Sequence, residues 1–155
     1  MFDTFNGLPV HPLVVHAIVV LLPLAMLGTL LIVARPAWRT TYGPLVVAAA
    51  LLSTVMMPVA TSSGEELEGR VGSPGEHAEI GEQLLWFALA LLITSAVFVG
   101  LELRRARAAT PQPPKLVTVW AVLAVVAALA CTFQVYRVGD SGAEAAWGDT
   151  VSSGQ

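Results

Sequence analysis

The sequence predicts an all-α membrane protein, a four-transmembrane-helix antiparallel bundle with both termini on the extracytoplasmic side. Three observations predict it. Hydrophobic residues make up 55% of the 155-residue chain and charged residues only 12%, where soluble domains carry roughly 25% charge. Four apolar runs each approach the length of about 20 residues that a helix needs to cross a bilayer. The basic side chains gather between runs one and two and between runs three and four, whereas the acids gather at the opposite ends.

The elements follow in order. Residues 1–10 carry one acid and no Lys or Arg. The positive region of a secretory signal peptide is therefore missing, and the first helix is expected to stay in the protein. Pro12 suits a first helical position with His11 in the cap, and residues 13–34 form span one, free of formal charge. Arg35-Pro36-Ala37-Trp38-Arg39 closes it with positive charge and an interfacial aromatic. Span two is expected over 45–61, and the short connection makes spans one and two an antiparallel hairpin. Pro23 and Pro58 remove the helical bonds to the carbonyls of Val19 and Thr54.

Residues 62–79 read as an acidic outer loop, in which Ser63 and Glu66 have the capping-box spacing of a short surface helix. Ser73-Pro74-Gly75-Glu76 reads as the start of the third helix, with Ser73 as cap. Span three is expected over 80–103, its uninterrupted apolar part beginning at Leu84, so the turns holding His77, Glu79 and Glu82 stand above the hydrocarbon. Arg104, Arg105 and Arg107 close it. A Pro-rich cytoplasmic linker covers 108–115, span four 116–136, and a polar outer tail 137–155. In that tail Ser141 and Glu144 again have capping-box spacing, before a short interfacial helix pinned by Trp147. Ala124 with Ala128, and Ala127 with Cys131, have the small-xxx-small spacing of close helix contact.

Orientation follows from the basic residues, since cytoplasmic flanks are enriched in Lys and Arg. Six of the eight (Arg35, Arg39, Arg104, Arg105, Arg107 and Lys115) fall on one side, and ten of the eleven acids fall on the other, the exception being Glu102. The expected location is a cytoplasmic membrane, multi-pass, with N- and C-termini outside and all three histidines towards the outer face.

The histidines are the candidate chemistry. An ionisable residue inside a span usually faces the bundle interior, which singles out His16. His11 and His16, five residues apart, lie about 140° apart around a helix and do not share a face. Neutral imidazole is a common ligand of haem iron and of metal ions, and bundles hold cofactors between facing helices. His11, His16 and His77 are therefore the candidate cofactor ligands. Two rulers for depth differ. Counted from helix starts, His16 and His77 match and face one another across a haem; counted from the apolar boundaries, His11 and His77 are the matched pair. The second is preferred, because an unpaired Glu82 in hydrocarbon costs more than a protruding helix. For a metal ion the candidates are His11 and His77 with Glu76 and Asp140.

Several classes lack their signatures. One cysteine excludes an intramolecular disulfide and a thiolate cluster within one chain. The chain has no Gly-rich phosphate loop, no HExxH and no nucleophile elbow, and no basic face for nucleic acid. Two main readings remain, beside a metal-responsive sensor at the outer face. In one, outer histidines hold haem b or a divalent metal for membrane electron transfer. In the other, the chain is a non-catalytic accessory or assembly subunit with no cofactor of its own. Besides the lipid bilayer, the expected partners are further copies of the chain or a larger membrane complex.

The opening His11-Pro12-Leu13-Val14-Val15-His16, the single His77 before span three and the closing Tyr136-Arg137-Val138-Gly139-Asp140-Ser141-Gly142-Ala143 resemble an uncharacterised bacterial family of small four-span membrane proteins. The resemblance covers nearly the whole chain. In the family pattern an aromatic and a proline commonly follow the second histidine, where this chain has Ala17 and Ile18. Relatives can be joined to Rieske-type iron-sulfur domains, which implies a place near respiratory electron transfer.

Overall fold

The computed structural model describes residues 4–5, 8–71, 75–108 and 114–152. Its body is four helices: α1 (Val10–Ala34), α2 (Arg39–Val71), α3 (Glu76–Arg107) and α4 (Pro114–Ser152). Ahead of α1, a two-residue strand β1 (Thr4–Phe5) pairs antiparallel with β2 (Leu8–Pro9), with Thr4 opposite Pro9. One turn of 3-10 helix, Pro36–Trp38, joins α1 to α2. All four helices are long and apolar enough to cross a membrane; even α1, with 25 residues, extends roughly 37 Å at about 1.5 Å per residue.

Each helix packs on the next, and α1 packs on α4 to close the bundle. The interior is built from small and branched side chains. Ile18, Leu22, Ala25, Ala50, Leu84, Ala88, Leu91, Ala128 and Cys131 form one buried cluster. Ile32, Val46, Phe98, Val99, Val117 and Ala121 form a second, nearer the arginine-bearing end. Ala124, Ala127, Ala128 and Cys131 are all buried, as their spacing predicts. Glycine sets the closest approaches: a Cβ on Gly28 would lie 2.6 Å from Val46 Cγ2, and one on Gly43 2.9 Å from Val99 Cγ1. The outward faces stay apolar, with Val19, Leu24, Leu27, Val126 and Phe133 exposed. A helix that is apolar all round suits lipid.

Hydroxyls inside the bundle are satisfied by their own helices. Thr29, Thr54 and Ser95 donate to the carbonyls of Ala25, Ala50 and Leu91, four residues earlier, at 2.7–2.8 Å, so among the described residues no buried hydroxyl enters hydrocarbon unpaired. At the arginine end Arg39 ties three helices together. Its Nη1 donates to Glu102 Oε1 at 2.9 Å, and its Nε and Nη2 donate to Ile32 O and Val33 O, closing the end of α1. Its guanidinium also stacks over Phe98, 5.4 Å from the ring centre. Glu102, the one acid on the basic side, is there as the partner of Arg39.

The helices differ from expectation mainly at their ends. The acidic loop over 62–79 is instead a continuation of α2 to Val71, and α2 begins at Arg39 rather than 45. The polar tail from 137 is a continuation of α4 to Ser152. Neither capping-box spacing starts a helix. Ser62 and Ser63 donate back to the Pro58 and Val59 carbonyls, and Ser141 donates back to Val138 O. Hydropathy marks where the apolar stretch ends, and both helices continue past it, with Gly64 on α2 and Gly142 on α4 still packed against rings from α1 and α3. His11 lies inside the first turn of α1, which opens at Val10, and α3 opens at Glu76 with Gly75 in the cap position at φ +59°. That left-handed backbone favours glycine. The expected cap Ser73 lies outside the described residues, as do 153–155 of the tail and 109–113 of the linker; Pro114 stands at the first position of α4.

Candidate functional site

His11 and His77 occupy the same place on different helices, each being the second residue, of α1 and α3 respectively. Each stands seven residues, or two turns, before a buried core residue, Ile18 for the first and Leu84 for the second. Side chains seven apart share a helix face, so both imidazoles continue the inward stripe at the end of the bundle away from the arginines. Both are half-buried.

The His11 ring reaches across to α2. Its Nδ1 lies 2.8 Å from the carbonyl oxygen of Ala60. A carbonyl only accepts, so Nδ1 carries the proton and neutral His11 keeps its lone pair on Nε2. The ring lies over Gly64, where a Cβ would come 3.1 Å from Cε1 and 3.2 Å from Nδ1. Glycine is therefore part of the seat, since a side chain there would require the ring to shift by a few tenths of an ångström.

The His77 ring makes the corresponding contact with α4. Its Nδ1 lies 3.2 Å from Ser141 Oγ. That hydroxyl also lies 3.1 Å from Val138 O; when it donates there it accepts from His77, and the ring then carries its proton at Nδ1 and its lone pair on Nε2, as in His11. The ring lies over Gly142, where a Cβ would come 3.0 Å from Cε1. One turn deeper, the buried amide of Gln134 donates to Ile80 O at 3.0 Å and joins α4 to α3 beneath the ring. Gln134 thus acts between helices.

His16 is placed otherwise than expected. Its side chain is exposed on the outer surface of α1, and its Nδ1 pairs with the Pro12 carbonyl of its own helix. The inward stripe passes through His11, Ile18 and Leu22, and a residue five positions after His11 falls off it. Glu76 and Asp140 are exposed. Among the described residues no three or more His, Cys, Asp or Glu side chains come together in a group that would hold a metal ion.

Sequence reasoning missed the seats: Ala60 and Gly64 for His11, and Ser141 and Gly142 for His77. A signal was present. Ser-Gly-x-Glu occurs at 63–66 and again at 141–144, and each copy lies against a histidine.

A protein-family model described as "Predicted membrane protein (DUF2231)" matches residues 7–155. No curated protein and no solved structure matches the chain.

Proposed function

The chain belongs to this family of predicted membrane proteins, and from that premise we propose that it presents the Nε2 lone pairs of His11 and His77 as ligands for haem b in membrane electron transfer. The observation that carries the reading is the pair of anchored rings. In each, Nδ1 is held by the neighbouring helix through Ala60 O or Ser141 Oγ, the arrangement that fixes a ligating imidazole and raises its basicity.

The donor set favours haem over a bare divalent ion. A structural or catalytic zinc takes three or four protein ligands, and the described residues gather no such group. Haem iron receives its equatorial nitrogens from the porphyrin and asks the protein only for axial ligands, for which neutral imidazole is suited. When bound, the haem supplies one-electron transfer. The protein's own part is to orient two imidazoles, hold each proton at Nδ1 and exclude competing side chains with Gly64 and Gly142.

The same reading places the protein in a bacterial cytoplasmic membrane with the histidine end and both termini outside. Support comes from the sorting of charge: Arg35, Arg104, Arg105, Arg107 and Lys115 are exposed at the opposite end, and positive flanks remain cytoplasmic. The test is an optical spectrum of the purified, dithionite-reduced protein together with elemental analysis. A low-spin haem spectrum that is lost in His11→Ala or His77→Ala is expected. A protein purified from haem-replete cells with neither a Soret band nor stoichiometric metal overturns the cofactor reading, and loss only in His16→Ala moves the ligand to α1's outer face.

A further inference from the structure

The two imidazole seats belong to a larger correspondence. A shift of 66 positions carries His11 onto His77 and α1 onto α3, and a shift of 78 carries Ser63-Gly64 onto Ser141-Gly142 and α2 onto α4. Burial alone is weak support, since many shifts would overlay two apolar stripes. The polar positions decide. On α1 and α3 the buried hydroxyls Thr29 and Ser95 coincide, and they donate to Ala25 and Leu91, which also coincide. On α2 and α4 Thr54 and Thr132 coincide, donating to Ala50 and Ala128, two fully buried alanines that coincide.

At the seats the match extends to single atoms. Ala60, whose carbonyl holds His11, coincides with Val138, whose carbonyl holds Ser141. Ser63 Oγ also reaches Ala60 O, at 3.1 Å. The two halves thus use one carbonyl position, touched directly by His11 and through a serine hydroxyl by His77. The excess length of the second half falls at the arginine end, mostly as extra turns at the end of α3 and the start of α4.

We propose that the chain is a tandem duplication of one imidazole-presenting hairpin, α1–α2 and α3–α4, in which Ser63-Gly64 and Ser141-Gly142 are the positioning residues for two equivalent ligand nitrogens. That His11 and His77 are ligands rests on the function proposed above; the duplication of their seats does not. The correspondence also sets depth. His16 falls on Glu82, and both are exposed. A carboxylate avoids the hydrocarbon, so this level lies at the membrane surface on both halves, and His16 is an interfacial residue rather than a third ligand.

The test is 15N-histidine NMR on the full-length protein in detergent micelles, read for the tautomer of each ring, with hemin added afterwards. Expected before hemin are Nδ1–H tautomers at both His11 and His77. Gly64→Ala should shift the His11 ring resonances alone, and Gly142→Ala and the milder Ser141→Ala the His77 resonances alone. With hemin, His11→Ala and His77→Ala should remove equal fractions of the low-spin absorbance. An Nε2–H tautomer at either ring, a seat substitution that leaves its own ring unmoved, or unequal losses among the histidine variants overturns the proposal. If hemin does not bind while the tautomers and seat shifts appear as expected, the cofactor reading fails and the duplicated seat stands.

Discussion

Arg39 shows how one residue can join helices that are distant in sequence. Its partner Glu102 is 63 residues away, and the two side chains are 20% and 11% exposed. Exposed ion pairs contribute roughly 0–1 kcal/mol, whereas removing one member of a buried pair costs about 3–5 kcal/mol. The low exposure and the two carbonyls also held by Arg39 put this pair near the upper range. Arg39→Met is therefore expected to lose about 3 kcal/mol in SDS-induced unfolding followed by helicity, and Glu102→Gln in the same background should regain part of it. No recovery in the double variant would mean that the carbonyl bonds, not the carboxylate, account for the loss. Glu102 was visible in the sequence as the single acid on the basic side. Its partner was not, because charge sorting reports which side of a membrane a residue favours and not what it touches.

At the level of elements, the apolar middle of each helix was legible and the ends were not. Span boundaries from hydropathy close at 61 and 136, whereas α2 and α4 continue to Val71 and Ser152. The extra turns carry Gly64 beside His11 and both Ser141 and Gly142 beside His77, which makes them more than solvated extensions. A chain ending at Tyr136 should therefore lose the Nδ1–H tautomer of His77 while keeping that of His11, an outcome the polar-tail reading does not predict. Close approach is a second property of elements. Gly28 on α1 leaves no room for a Cβ beside Val46 on α2. Gly28→Ala is expected to cost about 1–3 kcal/mol by overpacking, measured by the same unfolding, and Val46→Ala should recover part of that loss. If Gly28→Ala has no effect, the α1–α2 contact is looser than its geometry implies.

For the whole molecule, the decisive quantity is orientation. Glu65 and Ala106 are exposed at opposite ends of the bundle, and the native thiol, Cys131, is fully buried. A membrane-impermeant thiol reagent applied to intact spheroplasts should label Glu65→Cys and spare Ala106→Cys until the membrane is opened. The reverse pattern would turn the histidine end towards the cytoplasm. By itself the sequence determined the number of spans, their antiparallel order and the separation of basic and acidic ends. Each of these is a property of side chains measured against lipid or water, which local composition records. Only the tertiary structure decided which imidazoles face inward, that His16 does not, and that Gly64 lies against His11 and the Ser141-Gly142 pair against His77. Those outcomes depend on contacts 49 and 64 residues apart along the chain, where hydropathy carries no information and only the packing of one helix on another sets what each ring meets.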